Sequence, residues 1–336
     1  MHFNGRFVLT LIQQAGSQGA DLGKLLSLTG KSAEELGAKE CRLGAEVYNT
    51  VVEKVVQETG DEFFGMHAAE TMNLSAAGLV IQIVQSSENV RQALEYCCEF
   101  SNLGCSALPA TLVEKQDYYY YTFTPDPSWL LQHPLSVRQT LEGYLAFMVR
   151  EFRSLTHSRK SPVKTLLTFP APKNRLEPER ILGCPVAYDC DVNAVVLEKS
   201  HVEEKVTTND YDLLNVLINH AYQKLAEFEA SSGFYETVKR SVINMVKPDF
   251  PTLDEVAGHL NMSTRSLQRK LKEEGYSYKE VLEELKKDFA IGYLHKPELS
   301  IGQIAYLLNY AEPSAFIRSF KRWTGQTPNS YRAAII

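Results

Sequence analysis

The chain has 336 residues, 44% hydrophobic and 23% charged, with a formal net charge of -6. That length suffices for two or three domains with cores of their own, and the acidic balance argues against indiscriminate binding to polyanions. No stretch approaches the roughly 20 apolar residues of a membrane-spanning helix, so no membrane association is expected.

The first 70 residues read as helices. "FVLTLIQQAG" and "LGAEVYNTVVEKVVQETG" place apolar residues three and four apart and finish at Gly, a frequent helix stop. The apolar run Phe7–Ile12 is too short for a signal-peptide core, so a cytoplasmic protein is expected. From Ala76 to Val206 the pattern mixes. "DYYYYTFTPD", "VKTLLTFPAP" and "NAVVLEKS" read as strands, and "SVRQTLEGYLAFMVREFRSL" as a helix between them. The six cysteines, Cys41, Cys97, Cys98, Cys105, Cys184 and Cys190, include no CxxC pair and read as reduced, mostly buried thiols.

"NDYDLLNVLINHAYQKLAEFEA" then carries Leu214, Leu217, Ile218, Ala221 and Leu225 on one stripe. That stripe serves equally as the seam of a homodimer or as the packing face of a helix on its own domain. Ser231–Gly233 reads as a linker, which gives an α+β domain over 1–230 and an all-α domain over 234–336. The last hundred residues show only helical periodicity, broken at Pro248, Pro251, Pro297 and Pro328. Charge changes at the same boundary. From Phe234 onward there are 15 Lys and Arg against 12 Asp and Glu, leaving 20 against 29 before it. Such a split is a reason to treat the two parts as separate domains with different partners, although an excess of three charges decides nothing by its sign alone.

The second part contains a repeat. "TLDEVAGHLNM" (Thr252–Met262) aligns with "SIGQIAYLLNY" (Ser300–Tyr310), matching Thr252 to Ser300, Ala257 to Ala305 and Asn261 to Asn309. After one inserted residue Leu267, Arg269 and Leu271 align with Phe316, Arg318 and Phe320, and later Gly275 with Gly325. Thr252 and Ser300 are good N-caps, and the small Ala lets a second helix approach. Leu267 and Leu271, like Phe316 and Phe320, tie that second helix to a core. This is the pattern of two helix-turn-helix units, over about 252–274 and about 300–323, joined by a linker helix from Tyr278 to His295.

The second helix of the first unit exposes Thr264, Arg265, Gln268, Arg269 and Lys272, and that of the second Ser314, Arg318, Lys321 and Arg322. Arg pairs with guanine and Gln with adenine in the major groove, while Thr and Lys suit phosphates. Double-stranded DNA is the expected partner. Phe316, Phe320, Trp323 and Tyr331 are then core anchors. The linker helix, about 25 Å long at 1.5 Å per residue, can space two reading helices for successive major grooves.

Leu253–Arg332 resembles the DNA-binding domain of the AraC/XylS family of bacterial transcription regulators. The resemblance rests on "MSTRSLQRKLKEEGYSYKEVL" and "IGQIAYLLNYAEPSAFIRSFKRWTGQTPNSYR". It implies base reading by Arg265, Gln268 and Arg269 and by Ser314, Ala315 and Arg318. The expected phosphate contacts are Thr264, Lys272, Ser300, Lys321 and Arg322. Lys286 stands where the family usually has Arg, and Gly292 in the linker helix costs about 1 kcal/mol against Ala. The first 230 residues, through "GDEFFGMHAAETMNLSAAGLVIQIVQSSENVRQALEYCCEF" and "GCPVAYDCDVNAVVLEKSHVEEKV", are similar to the arabinose-binding-type N-terminal domain of one branch of the family. An effector-binding regulatory role is implied, with RNA polymerase as a further partner and nucleoid association when DNA is bound.

Candidate effector contacts are the alternate tyrosines Tyr119 and Tyr121, with Phe123, Arg138 and Arg175. A regulator without a small ligand, controlled by a protein partner or by abundance, is the alternative. An enzyme is the rival class, but GxSxG, Walker, HExxH and GxGxxG motifs are all missing. The eight histidines are scattered, so neither a metal nor another cofactor is expected.

Overall fold

Asn4 ends the short strand β1 (His2–Asn4) and caps helix α1 (Gly5–Ser17), its side chain accepting from the Arg6 amide at 2.8 Å. The computed structural model describes residues 1–38, 41–72, 78–104, 107–231, 233–246, 249–294 and 299–335. They form two units, Met1–Pro125 with Leu135–Leu225, and Asp126–Pro134 with Ala226–Ile336. The division thus falls eight residues ahead of the expected Gly233, and the segment 126–134 groups with the second unit. Cys105, Ser232, Pro248, His295 and Pro297 lie outside the described residues.

The first unit is α+β, as expected. After α1 come α2 (Leu22–Thr29) and α3 (Ala33–Gly37), then β2 (Arg42–Gly44), antiparallel to β1. Helix α4 (Ala45–Thr59) stops at Gly60, whose φ of 66° suits a residue without Cβ. The helices α5 (Phe64–Thr71), α6 (Gly78–Ser86), α7 (Val90–Glu99) and α8 (Ser101–Gly104) follow. The hairpin β3 (Ala110–Lys115) and β4 (Tyr118–Phe123) follows, then α9 (Pro127–Gln132) of the second unit and the long α10 (Pro134–Leu155).

Strand β5 (Lys164–Leu166), helix α11 (Leu176–Leu182), β6 (Val186–Ala187), β7 (Asn193–Glu198) and α12 (Lys199–Val202) lead to α13 (Tyr211–Ser231). The sheet order is β3-β4-β7-β5-β6, antiparallel except between β5 and β6. Central β7 is buried from Asn193 through Leu197, which explains its unbroken apolar run, "AVVL". Edge-ward β4 alternates, burying Tyr119, Tyr121 and Phe123. Sequence periodicity locates β4, β5, β7, α1, α4, α10 and α13; β1, β2 and β6 are too short to show a period of two.

Helices α5 and α10 meet where both carry glycine. A Cβ on Gly65 would sit 2.0 Å from the Gln139 carbonyl oxygen, and one on Gly143 2.8 Å from that of Gly65. The Gln139 side chain fastens this crossing, accepting from the Gly65 amide at 2.8 Å and donating to the Glu62 carbonyl at 2.7 Å. The stripe on α13 faces its own unit. Leu214 and Ala221 are buried with Ile83 and Phe100, and Leu217 and Ile218 pack against them. The dimer-seam reading of that stripe does not hold, because packing on the unit already uses it.

The second unit is all helical: α14 (Gly233–Met245), α15 (Leu253–His259), α16 (Thr264–Glu273), α17 (Tyr278–Leu294), α18 (Ile301–Leu307), α19 (Pro313–Thr324) and α20 (Pro328–Ile335), with α9 against α17. It has two cores. One joins Val238 and Val242 of α14 to Val256, Leu267, Leu271 and the first half of α17, through Val281 and Leu285. The other joins Phe289 and Leu294 of the second half to Ile304, Leu308, Phe316 and Phe320. The linker helix therefore serves as a shared wall, half to each core.

Between the halves Lys286 extends its ammonium over the Phe250 ring at 5.3 Å and the Tyr310 ring at 4.8 Å. Burial lowers its pKa, while two ring faces offset part of that cost. The Glu274 carboxylate, just past α16, accepts from the Phe234 and Tyr235 amides at the start of α14. Those bonds lower its pKa and satisfy amides a helix start leaves open. All five described cysteines are free thiols, Cys97 and Cys184 buried and Cys41, Cys98 and Cys190 half-buried.

Candidate nucleic-acid interface and an internal cavity

The two halves of the second unit share the same capping boxes and the same turn. Thr252 and Ser300 both form capping boxes, with Glu255 and Gln303 answering from the third helical position. After α15 the Met262 amide donates to the Ala257 carbonyl at 2.9 Å; after α18 Tyr310 donates to Ala305 at 3.0 Å. Between these residues Asn261 and Asn309 take the left-handed conformation, φ 52° and 57°. Asn tolerates it better than most residues with a Cβ. In each half that residue sits in the turn that joins the first helix to the second.

The second helices differ at their starts. Ser263 caps α16, accepting from the Ser266 amide at 3.2 Å. Glu312 occupies the equivalent place before α19 without a side-chain cap bond, followed by Pro313 at the first helical position. Each helix buries only its anchors, Leu267 and Leu271 in α16 and Phe316 and Phe320 in α19. Everything else on α16 faces outward or sits half-buried.

Arg265, Gln268, Arg269 and Lys272 are exposed on α16, and Thr264 is half-buried at its start. Arg269 Nε lies 3.7 Å from Glu273 Oε1, an i,i+4 pair too exposed to hold it against a stronger anionic partner. On α19, Ser314, Arg318 and Lys321 are exposed, Ala315 is half-buried, and the Ser314 hydroxyl donates to Glu312 Oε2 at 3.2 Å. Arg322 is exposed but engaged, donating to Glu283 Oε1 of α17 at 2.8 Å. Ser300 is also committed locally, its hydroxyl oxygen accepting from the Gln303 amide at 3.2 Å. Each helix therefore presents one polar, mostly basic face of the kind that fits a DNA groove.

The first unit encloses a cavity of about 670 Å³. Leu11, Val52, Val55, Phe64, Leu108 and Met148 form much of its inner wall, each nearly fully buried. They come from α1, α4, α5, α10 and the approach to β3, with α6 and α13 supplying Ile81, Val84 and Leu217. Burial pushes the Cys97 thiol on this wall up to about 12, so it stays protonated. The charged members of the lining include Arg6, Arg42 and Lys224, none of them buried.

None of the five expected effector residues lines this cavity. Tyr121 and Phe123 stand one layer behind it, against Tyr144, which does: the two hydroxyls are 3.4 Å apart and the rings of Phe123 and Tyr144 5.4 Å. Tyr119 donates to Glu114 Oε2 at 2.8 Å. Arg138 pairs with Glu142 at 2.9 Å and Glu62 at 3.6 Å, and Arg175 is exposed before α11. Strand alternation marks which tyrosines turn inward. It carries no information about which helices stand apart on the other side.

Residues 19–206 match the family model described as the arabinose-binding domain of AraC transcription regulators, N-terminal, and residues 256–334 match a helix-turn-helix domain. The ornithine utilization regulator of Pseudomonas aeruginosa is 24% identical over 304 residues, covering 90% of this chain and 87% of that protein. An uncharacterized HTH-type transcriptional regulator of Mycobacterium tuberculosis is 26% identical over 327 residues, 96% of this chain and 93% of its own. The regulator VirS of the same organism is 39% identical over 101 residues, 29% of this chain and 30% of that one. These relatives are named as regulators, and no described helix is long and apolar enough to cross a membrane.

Proposed function

The chain belongs to the AraC family of helix-turn-helix transcriptional regulators, and on that premise we propose how its two units divide the work. The second unit binds double-stranded DNA through α16 and α19. Arg265, Gln268 and Arg269 read bases from α16, and Arg318, with Ser314 and Ala315, from α19. Thr264, Lys272, Ser300 and Lys321 contact phosphates; Arg322 joins them when it exchanges Glu283 for a phosphate. Ala315 has only a methyl to offer, which suits the thymine methyl group.

One observation carries this reading. The capping box, short helix, left-handed Asn and anchored second helix occur twice, and each second helix turns its basic face outward. A single exposed basic helix is ordinary, whereas a duplicated one on a shared linker helix fits a site read in two places.

The first unit is the effector domain, and its cavity is where the effector binds. A ligand acts only through unequal affinity for two states of the protein, so the cavity must change when the DNA-binding unit does. The cavity favours this reading over control by abundance alone. The regulator works in the cytoplasm, at the nucleoid, with RNA polymerase as its downstream partner. Pairing of two copies would raise affinity by linking two DNA-binding events.

Genome-wide mapping of protected DNA, followed by footprinting with the purified full-length chain, tests the proposal. A bipartite motif with its two parts about one helical turn apart is expected, with affinity falling steeply as salt rises. Protection of a single short element, unchanged when α19 is altered, would contradict two-helix reading.

A further inference from the structure

We propose that Leu131 and Gln132 of α9 are positioning residues for DNA reading. They set the second reading helix, α19, and leave α16 alone, so the first unit governs one part of the site through them. The inference rests on the division of work proposed above and names the segment that carries the signal.

The chain leaves the first unit at Asp126 and rejoins it at Leu135. Strand β4 before this segment and most of α10 after it belong to the first unit, whereas α9 belongs to the second. A helix of 6 residues is too short to persist by itself. It is held in shape from its start: the Asp126 side chain accepts from the Ser128 and Trp129 amides at 2.9 and 3.0 Å, and from the Ser128 hydroxyl at 2.6 Å. Trp129 is buried.

This segment sits on the second half of the linker helix. Gln132 Nε2 donates to the Asp288 carbonyl at 3.1 Å. Leu131 packs on the core of Phe289, Leu294, Ile304, Leu308, Phe316 and Phe320. It comes so close to α17 that a Cβ on Gly292 would lie 2.1 Å from its own. Phe316 and Phe320 are the anchors of α19. Among the described residues, the core that holds Leu267 and Leu271 of α16 draws on Phe234 and later positions. A segment inserted between two elements of the first unit therefore completes the foundation of one reader and not of the other. A core that loses a packed side chain closes the void only in part, so without Leu131 the anchors of α19 shift, and α19 with them.

The same segment is tied to the cavity. His133 alone separates α9 from α10, and α10 presents Gly143, Tyr144 and Phe147 to the cavity. At the other end Phe123, the last residue of β4, has its ring 5.4 Å from that of Tyr144. Pro125, Pro127 and Pro134 bracket α9, and each fixes its own φ at about −65°, so the connections yield little. A shift of α10 thus reaches Leu131 and Gln132 before it is absorbed. The effector acts through unequal affinity for the states with α9 seated and unseated, and the seated state is the one in which α19 reads.

The test uses the full-length chain on its mapped DNA site, read by footprinting and by hydrogen exchange. A Leu131→Ala, Gln132→Ala double variant should lose protection over the part of the motif that Arg318→Ala relaxes and keep it over the other part. Exchange should quicken across α18 and α19 but not across α15 and α16. Affinity should fall at least about tenfold as one of two linked readers disengages. Leu131→Met should restore the footprint, since it refills the space. Uniform loss over both parts would make α9 a general support, and an unchanged footprint would give it no part in reading; either result overturns the inference. Should the double variant fail to fold, Gln132→Ala alone must show the same bias.

Gly143→Ala and Phe147→Ala disturb α10 from the cavity side. Each should alter exchange in α18 and α19 of the parent chain and add nothing in the Leu131→Ala, Gln132→Ala background. Changes confined to the first unit, or none in either variant, would break the link between cavity and reader. A parent chain that protects a single short element would instead refute two-helix reading itself, a result distinct from all of these.

Discussion

Asn261 and Asn309, forty-eight residues apart in sequence, hold the same left-handed turn in the two halves of the DNA-binding unit, with φ of 52° and 57°. Their side chains are used differently. Asn309 donates to Asp249 and accepts from the Phe250 amide at 3.4 Å, two bonds that reach back to the segment before α15.

The pair gives an asymmetric expectation. Asn261→Val and Asn309→Val should each cost about 1–2 kcal/mol, because a β-branched residue resists positive φ. Asn261→Gly should be close to neutral, since Gly accepts the turn freely. Asn309→Gly should still lose about 1 kcal/mol with its bonds. Urea midpoints of the four variants measure this, and equal values for the two Gly variants would show that the Asn309 bonds contribute nothing.

Gly292 reverses an expectation from propensity. In an isolated helix Ala would be better by about 1 kcal/mol. Here a Cβ at position 292 would lie 2.1 Å from Leu131 Cβ, because α9 packs against α17 inside the second unit. Gly292→Ala should therefore destabilise, by about 1–3 kcal/mol. In a Leu131→Gly background the same change should cost clearly less, and a double-mutant cycle on the two positions reads the coupling directly.

Much of this was legible from residue order alone, for physical reasons that particular positions show. Capping residues, anchors and turn residues act locally, so Thr252, Ser300, Leu267 and Phe316 disclose the duplicated helices without any long-range information. Burial is legible too: Tyr119, Tyr121 and Phe123 turn inward as a period of two requires. What those inward residues meet is not local. Tyr121 touches Tyr144, which lines the cavity, and the cavity opens beyond it among helices that the sequence scatters from Phe3 to Lys224. Arg322 illustrates the same limit, since its spacing marks it as outward but not that Glu283 awaits it.

That ion pair suggests a second test on DNA. Lys321→Ala should weaken binding to all sequences alike and reduce the salt slope by about 1. Arg322→Ala should do less, because its guanidinium is shared with Glu283. Glu283→Gln should release Arg322 and raise non-specific affinity, while lowering stability by no more than about 1 kcal/mol, as for other exposed pairs. Competition against random duplex at several salt concentrations separates these outcomes.

Buried Glu142 makes the first unit sensitive to pH. Burial raises its pKa to about 7, outweighing the Arg138 guanidinium at 2.9 Å that favours the charged form; Glu62 pushes in the same direction as burial. The fold therefore prefers the protonated acid. Stability on this account is full below the unfolded value near 4.5 and is lost as pH rises through about 7. The loss is on the order of 3 kcal/mol. Glu142→Gln should flatten that part of the profile, and a variant whose urea midpoint still falls between pH 5 and pH 8, about as steeply as the parent's, would assign the slope to another group.

The duplicated reader is tested most directly by comparing specific and non-specific affinity for Arg269→Ala and Arg318→Ala, one from each reading helix. Each should lose about 1–3 kcal/mol at its own site, relax one base position there, and leave binding to random duplex nearly unchanged. The two relaxed positions should lie in different parts of the motif. Equal loss on specific and random DNA for either variant would mean that its arginine clamps rather than reads, and for both that the two helices are not the readers.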